Sequence, residues 1–110
     1  MRFTYAITFV SDMDAAAAFY RDKLGLRPGF QSPFWSEFET GETKLALHPA
    51  SKDNPAGSVQ LGFTTKDIDG FYAAREANGV AFASPPADLH GTRIARIVDP
   101  EGAEISLSGE

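Results

Sequence analysis

Trp35 is the single tryptophan of a 110-residue chain, and it stands among Phe30, Phe34 and Phe38 in a stretch interrupted by Pro28, Gly29 and Pro33. A large amphipathic ring beside proline-containing loops suits stacking on a planar ligand, and suits filling an interface equally well. Both readings stay open for Trp35, Phe30 and Phe34, with the core reading ahead for Phe38. Glu37, Glu39 and Glu104 are the carboxylates nearest to such a site in the chain's patterning. A carboxylate in a partly desolvated groove attracts a cation more strongly than one in water, although a solvated surface is the ordinary place for each. Arg93 and Arg96 fall on opposite faces of one strand, so at most one points inward, where it would favour an anionic ligand instead. Lys44 has inward parity near an open end. His48 and His90 are the only histidines. No Ser–His–acid arrangement and no Gly-rich phosphate loop is present, and no catalytic residue is assigned.

The elements that must position these residues occur twice. Residues 1–48 run apolar strand, short helix from near Asp14, Leu24-Gly25, then a hairpin from Trp35–Thr40 to Lys44–His48 turning at Gly41-Glu42. Residues 58–110 repeat the order: strand Val59–Thr65, helix from Ile68 or Asp69 to Asn78, Gly79-Val80, strand Arg93–Val98, turn Pro100–Gly102 and strand Ala103–Ser108. A period of roughly 50–55 residues predicts one supersecondary unit used twice, with a pseudo-symmetric cleft between the copies. Residues 49–57, with Pro49, Pro55 and Gly57, read as the linker of a single domain.

Asp12 and Asp67 or Asp69 are helix caps or first-turn charges. Ala15, Ala18, Phe19 and Leu24 form the expected buried stripe of the first helix, and Phe71 and Ala74, with Tyr72 beside them, that of the second. Val59, Leu61 and Phe63 alternate with Gln60, Gly62 and Thr64, which predicts a strand with its apolar face on the helix layer. Phe82–Gly91, holding Pro85 and Pro86, reads as a flexible rim or lid.

Composition narrows the function classes. An apolar fraction of 43% is incompatible with disorder, and absent cysteine excludes thiol redox chemistry and disulfides. Fifteen acidic against ten basic residues give a net charge of −5, and scattered basic residues argue against nucleic acid. No apolar run approaches the length of about 18 residues that a membrane span needs. Met1–Val10 carries no signal-peptide pattern, so the expected compartment is the cytoplasm.

The pieces Val10-Ser11-Asp12, Phe19 to Leu26, Trp35 to Phe38 before Gly41, Lys44 to Leu47, Gly62-Phe63 with Asp67-Ile68-Asp69, Gly79-Val80 and Asp99-Pro100-Glu101-Gly102 resemble the vicinal oxygen chelate superfamily. That superfamily includes glyoxalase I, fosfomycin and bleomycin resistance proteins and extradiol dioxygenases. The resemblance covers nearly the whole chain and implies an α+β fold: two βαβββ modules forming a curved mixed sheet around a cavity, commonly in a homodimer. It also implies where a divalent metal would be held, at one residue from the first and one from the last strand of each module. Those positions carry over to Tyr5, Ala46, Gln60 and Ser106, which resemble the metal-binding enzymes poorly. A shifted register would bring in His48, which shares strand parity with Ala46, and Glu104, which shares parity with Ser106.

The expected function is therefore metal-independent binding or sequestration of a small planar or cationic molecule, similar to bleomycin-type resistance proteins. Its expected site is Tyr5, Ile7, Phe30, Phe34, Trp35, Phe38, Ala46, His48, Gln60 and Ser106, without metal or cofactor, and its expected partners are a small-molecule ligand and a second copy of the chain. The alternative is a metal-dependent lyase, isomerase or dioxygenase using Gln60 with His48 or Glu104. Two others are a metal-free enzyme with Tyr5 or an acidic residue as acid–base group, and a small structural or regulatory dimer whose cavity has collapsed around Tyr5, Phe9 and Trp35.

Overall fold

Strand β1 (Arg2–Val10) alternates Tyr5, Ile7 and Phe9 with Thr4, Ala6, Thr8 and Val10, and each set commits to one face of a sheet. In the computed structural model, which describes all 110 residues, the chain divides into two compact units. One is Thr4–Gln60; the other is Leu61–Glu110 with Met1–Phe3.

In the first unit β1 is followed by helix α1 (Met13–Ala18), then β2 (Arg27–Pro28), β3 (Ser36–Glu39) and β4 (Lys44–Pro49). Its strands lie in the order β2-β3-β4-β1, with β1 parallel to β4 and the other pairs antiparallel. In the second unit β5 (Val59–Thr65) leads into α2 (Ile68–Ala73) and α3 (Arg75–Asn78), then β6 (Ala81–Leu89), β7 (Thr92–Val98) and β8 (Glu104–Gly109). Here the order is β6-β7-β8-β5, with β5 parallel to β8. Each unit is thus a βαβββ module of one topology, in a mixed α+β fold.

Caps start both helices in the same way. The Asp12 carboxylate accepts from the Ala15 amide at 3.0 Å, and the Asp67 carboxylate from the Gly70 amide at 2.9 Å. Helix α1 runs on as a π-helical turn over Phe19–Lys23, and α2 gives way to α3 at Ala74. The helix side of the first sheet is closed by Ala17, Phe38 and Leu47, with Val10, Met13, Ala16, Tyr20, Leu26 and Leu45 around them. The second is closed by Ile68, Ala95 and Leu107, with Phe63, Phe71, Phe82 and Ile97.

Four expectations change. The buried stripe of α1 is Met13, Ala16, Ala17 and Tyr20, a regular i, i+3, i+4, i+7 set, while Ala15, Phe19 and Leu24 are exposed. Ala74 is also exposed, and Ile68 takes the buried place in α2. In β5 the polar set is the buried one: Gln60, Gly62 and Thr64 are inside, whereas Val59 is 61% exposed and Leu61 is also open. Such burial is tolerable because no buried side-chain nitrogen or oxygen lacks a hydrogen-bond partner.

The expected lid is the fourth. Phe82–Leu89 belongs to β6, an edge strand, and register shifts between Phe82, Ser84 and Ala87 absorb Pro85 and Pro86. Edges and bulges are where a strand tolerates proline, because the missing N–H need not pair. His90 and Gly91, both at positive φ (53° and 81°), then close the two-residue turn into β7.

Candidate functional site

The strand register of the first unit sorts its side chains between two faces. Tyr5 lies opposite Lys44, Ile7 opposite Ala46 and Phe9 opposite His48, while Glu37 of β3 lies opposite Ala46 on the other side. Opposed residues project to the same face. Tyr5, Ile7, Phe9, Glu37, Lys44, Ala46 and His48 therefore share the face turned away from α1.

Ile7, Phe9 and Ala46 form the buried floor of that face, and Tyr5, Trp35 and Ala50 pack against it. The indole of Trp35 meets the Tyr5 ring at 5.5 Å and 77°, and the His48 ring at 6.2 Å and 82°. Phe9 meets His48 at 5.4 Å and 62°. These are edge-to-face arrangements, so neither neighbour stacks parallel on the indole. The small Ala46 side chain leaves the floor low between Ile7 and Glu37.

Hydrogen bonds fix the tryptophan. Its Nε1–H donates to Glu37 Oε2 at 2.7 Å, and Lys44 Nζ donates to Glu37 Oε1 at 3.3 Å. The Tyr5 phenol lies close enough to Glu37 to feel its negative charge. Two donors thus converge on one carboxylate that is only 14% exposed. Lys44 also reaches Glu39 at 3.7 Å, so two carboxylates share one ammonium and the group keeps a net charge of −1. Burial, and then the negative charge of Glu37, push the Tyr5 phenol above its ordinary value of 10.0, while the Glu37 hydrogen bond raises the Lys44 ammonium. Tyr5 is consequently a neutral donor near pH 7 and a poor general base.

The loop ahead of β3 is equally determined. Ser32 Oγ accepts from the amides of Trp35 (3.0 Å) and Phe34 (3.2 Å) and donates to the Trp35 carbonyl (2.9 Å), while Ser36 Oγ donates back to the Ser32 carbonyl at 3.0 Å. Sequence reasoning passed over Ser32, although a serine one residue before proline, ahead of a strand, is a recognisable turn former. It noted Glu37 as an anion but not as the clasp on Trp35; their i, i+2 spacing at the entry to β3 is the available signal.

Of the ten residues expected at a site, five meet on this face: Tyr5, Ile7, Trp35, Ala46 and His48. Phe38 does not. It lies fully buried on the helix side with Ala17 and Leu47, because it comes three positions after Trp35, an odd spacing, and successive extended residues alternate faces. Phe30 and Phe34 belong to the loop and are 62% and 77% exposed. Gln60 is buried at the start of β5, and Ser106 lies on β8 of the second unit, opposite Arg96.

These residues do not fit a divalent metal. Ala46 has no side-chain donor atom, and no three His, Asp or Glu side chains gather where they could hold an ion. His48 is exposed, and its Nδ1 is 2.8 Å from the Pro49 carbonyl oxygen. No helix is long and apolar enough to cross a membrane.

Among solved structures, a protein from Legionella pneumophila described as NAD-dependent benzaldehyde dehydrogenase aligns with a TM-score of 0.79 and 17% identity over 96% of each chain. A glyoxalase/bleomycin resistance protein/dioxygenase superfamily member from Vibrio splendidus aligns over 100% of both chains with a TM-score of 0.71 and 14% identity. A Mn(II)-bound glyoxalase from Novosphingobium aromaticivorans is 26% identical with a TM-score of 0.66, over 98% of this chain and 38% of that one. No curated protein matches at a significant level. The sequence pattern of the Glyoxalase/Bleomycin resistance protein/Dioxygenase superfamily matches residues 2–107. With two βαβββ modules of one topology and a match over almost its full length, the chain belongs to the glyoxalase/bleomycin resistance protein/dioxygenase superfamily.

Proposed function

We propose that the face around Trp35 binds a small planar organic molecule without the help of a metal. The observation that carries this reading is the indole itself, clasped by Glu37 and set edge-to-face between Tyr5 and His48 over the low floor at Ala46. A ring held this way is pre-organised, so a flat ligand loses little freedom of the protein on binding. The residual charge of −1 on Glu37, Glu39 and Lys44 favours a neutral or cationic ligand over an anion.

Tyr5, Ile7, Trp35, Ala46 and His48 form the proposed site, with Phe30 and Phe34 at its loop margin. Gln60 is proposed only as a further polar contact, and Ser106, which lies in the second unit, is not counted in this face. Sequestration, the antibiotic-resistance mode, requires affinity and protein concentration alone. A homodimer in the cytoplasm is part of this reading, and the exposed Phe19, Leu24, Phe30 and Phe34 side chains supply apolar surface for its interface.

A second reading is a metal-dependent lyase, isomerase or dioxygenase, favoured by the likeness to a Mn(II)-bound glyoxalase. Elemental analysis and native mass spectrometry of protein purified without chelator separate the two. The proposal expects a dimer without stoichiometric transition metal; about one tightly held metal ion per chain would overturn it.

A further inference from the structure

The second unit carries a different row of side chains on its own face turned away from α2. Ser84 of β6 lies opposite Arg96 of β7, Arg96 opposite Ser106 of β8, and Ser106 opposite Gly62 of β5. The register thus sets the half-buried Arg96 between two serines on the neighbouring strands, with a residue lacking a side chain next in line. Ile94 and Val98 precede and follow Arg96 at strand spacing on the same face.

The other arginine of the strand has a different fate. Arg93 projects to the helix side, where it holds Asp69 at 2.8 Å and Asp88 at 3.4 Å. Those aspartates sit with Arg93 on the helix side, and Glu104, which shares the face of Arg96, is exposed and opposite Val98.

We propose that the row Ser84–Arg96–Ser106 is a subsite for the carboxylate group of an organic acid. The guanidinium fork matches a carboxylate with two parallel N–H···O bonds, and its five donors allow it to serve a second partner at the same time. Ser84 and Ser106 each supply a hydroxyl that can donate to the anion's remaining lone pairs. Ile94 and Val98 offer the acid's apolar remainder a surface along the same strand. A single guanidinium with Glu104 nearby suits one negative charge and is poorly matched to a phosphate dianion.

The probes are benzoate, its neutral isostere benzamide, and inorganic phosphate, each titrated at constant ionic strength into ¹⁵N-labelled full-length protein and followed by NMR. Benzoate is expected to shift the Arg96 Nε–H and the Ser84 and Ser106 amides saturably, with benzamide and phosphate leaving them in place. Arg96→Lys keeps the charge but loses the fork and is expected to weaken benzoate about tenfold. Arg96→Gln is expected to abolish the response while its spectrum remains dispersed. Should that variant fail to fold, Ser106→Leu fills the row beside Arg96 and is expected to abolish it instead. Equal shifts from benzoate and benzamide, a response to phosphate but not benzoate, shifts elsewhere only, or unchanged titration of the folded variants would each overturn the subsite. The Trp35 proposal stands or falls separately, because none of these residues belongs to its face.

Discussion

The two modules share a topology and differ in what they lay on it. In the first, the face away from the helix carries Tyr5, Ile7, Phe9, Trp35 and His48, with a carboxylate clasping the indole. In the second, the corresponding face carries Ser84, Arg96, Ser106 and Ser108 around Gly62. The helix sides, by contrast, are alike: Leu47, Phe38 and Ala17 in one, Leu107, Ala95 and Ile68 in the other. The lesson is that the helix-side pattern specifies the module, whereas the opposite face is open to chemistry. An aromatic floor and an arginine in register with two serines can be set on the same βαβββ frame because strand alternation makes the faces independent.

The shared part should break equally in both halves. Leu47→Ala and Leu107→Ala each remove a fully buried leucine, and each is expected to cost about 2–5 kcal/mol in denaturant unfolding. A large cost at one position and a negligible one at the other would contradict equivalent cores. The differing part should respond at Glu37. Glu37→Gln keeps the shape but weakens the charge-assisted bonds to Trp35 and Lys44, and is expected to cost about 1.5–3 kcal/mol, with a change in the fluorescence of the sole tryptophan.

Helix starts sharpen the comparison at a finer scale. A Cβ built on Gly70 would clash with the capping carboxylate of Asp67, whereas α1 already has Ala15 at the corresponding amide. Gly70→Ala is therefore expected to dislodge the cap and lower stability by about 1 kcal/mol, measured by thermal unfolding.

The smallest effect concerns pH. Folding raises the Tyr5 phenol, so the folded state holds that proton more tightly than the unfolded chain. The resulting stability is fully present below the unfolded value near 10 and is lost as pH rises through the folded one. Lys44, raised by Glu37, acts in the same direction. Tyr5→Phe should accordingly flatten part of the alkaline fall in Tm while leaving the neutral-to-acid limb unchanged; an unaltered alkaline limb would remove Tyr5 from the linkage.

The repeat, the caps at Asp12 and Asp67 and the turn at Asp99–Gly102 were legible in the sequence because each is set by local chemistry. The phase of α1 was not, since a run of four alanines offers almost no contrast between faces, and only tertiary packing selects Ala17. Pro85-Pro86 reads as a loop unless the strand is known to lie at an edge, which is a property of the sheet. In β5 the alternation was clear, but which set is buried depends on what surrounds the strand. Of the candidate site, parity alone gave Tyr5, Ile7, Ala46 and His48 a common face, and the same parity separates Phe38 from Trp35. The clasp of Glu37 on the indole and the Ser32 turn needed side-chain geometry that spacing does not carry.

The central claim, that the Trp35 face binds a planar ligand without metal, is tested most directly by fluorescence. With one tryptophan in the chain, emission reports on this face alone. Chelator-treated protein would be titrated with planar aromatic cations, neutral compounds and anions, alongside Trp35→Phe in a calorimetric titration. The account predicts saturable quenching by a cation or neutral compound with metal absent, and affinity at least tenfold weaker in the variant. Binding that appears only when a divalent metal is restored, or that is indifferent to Trp35, would contradict it.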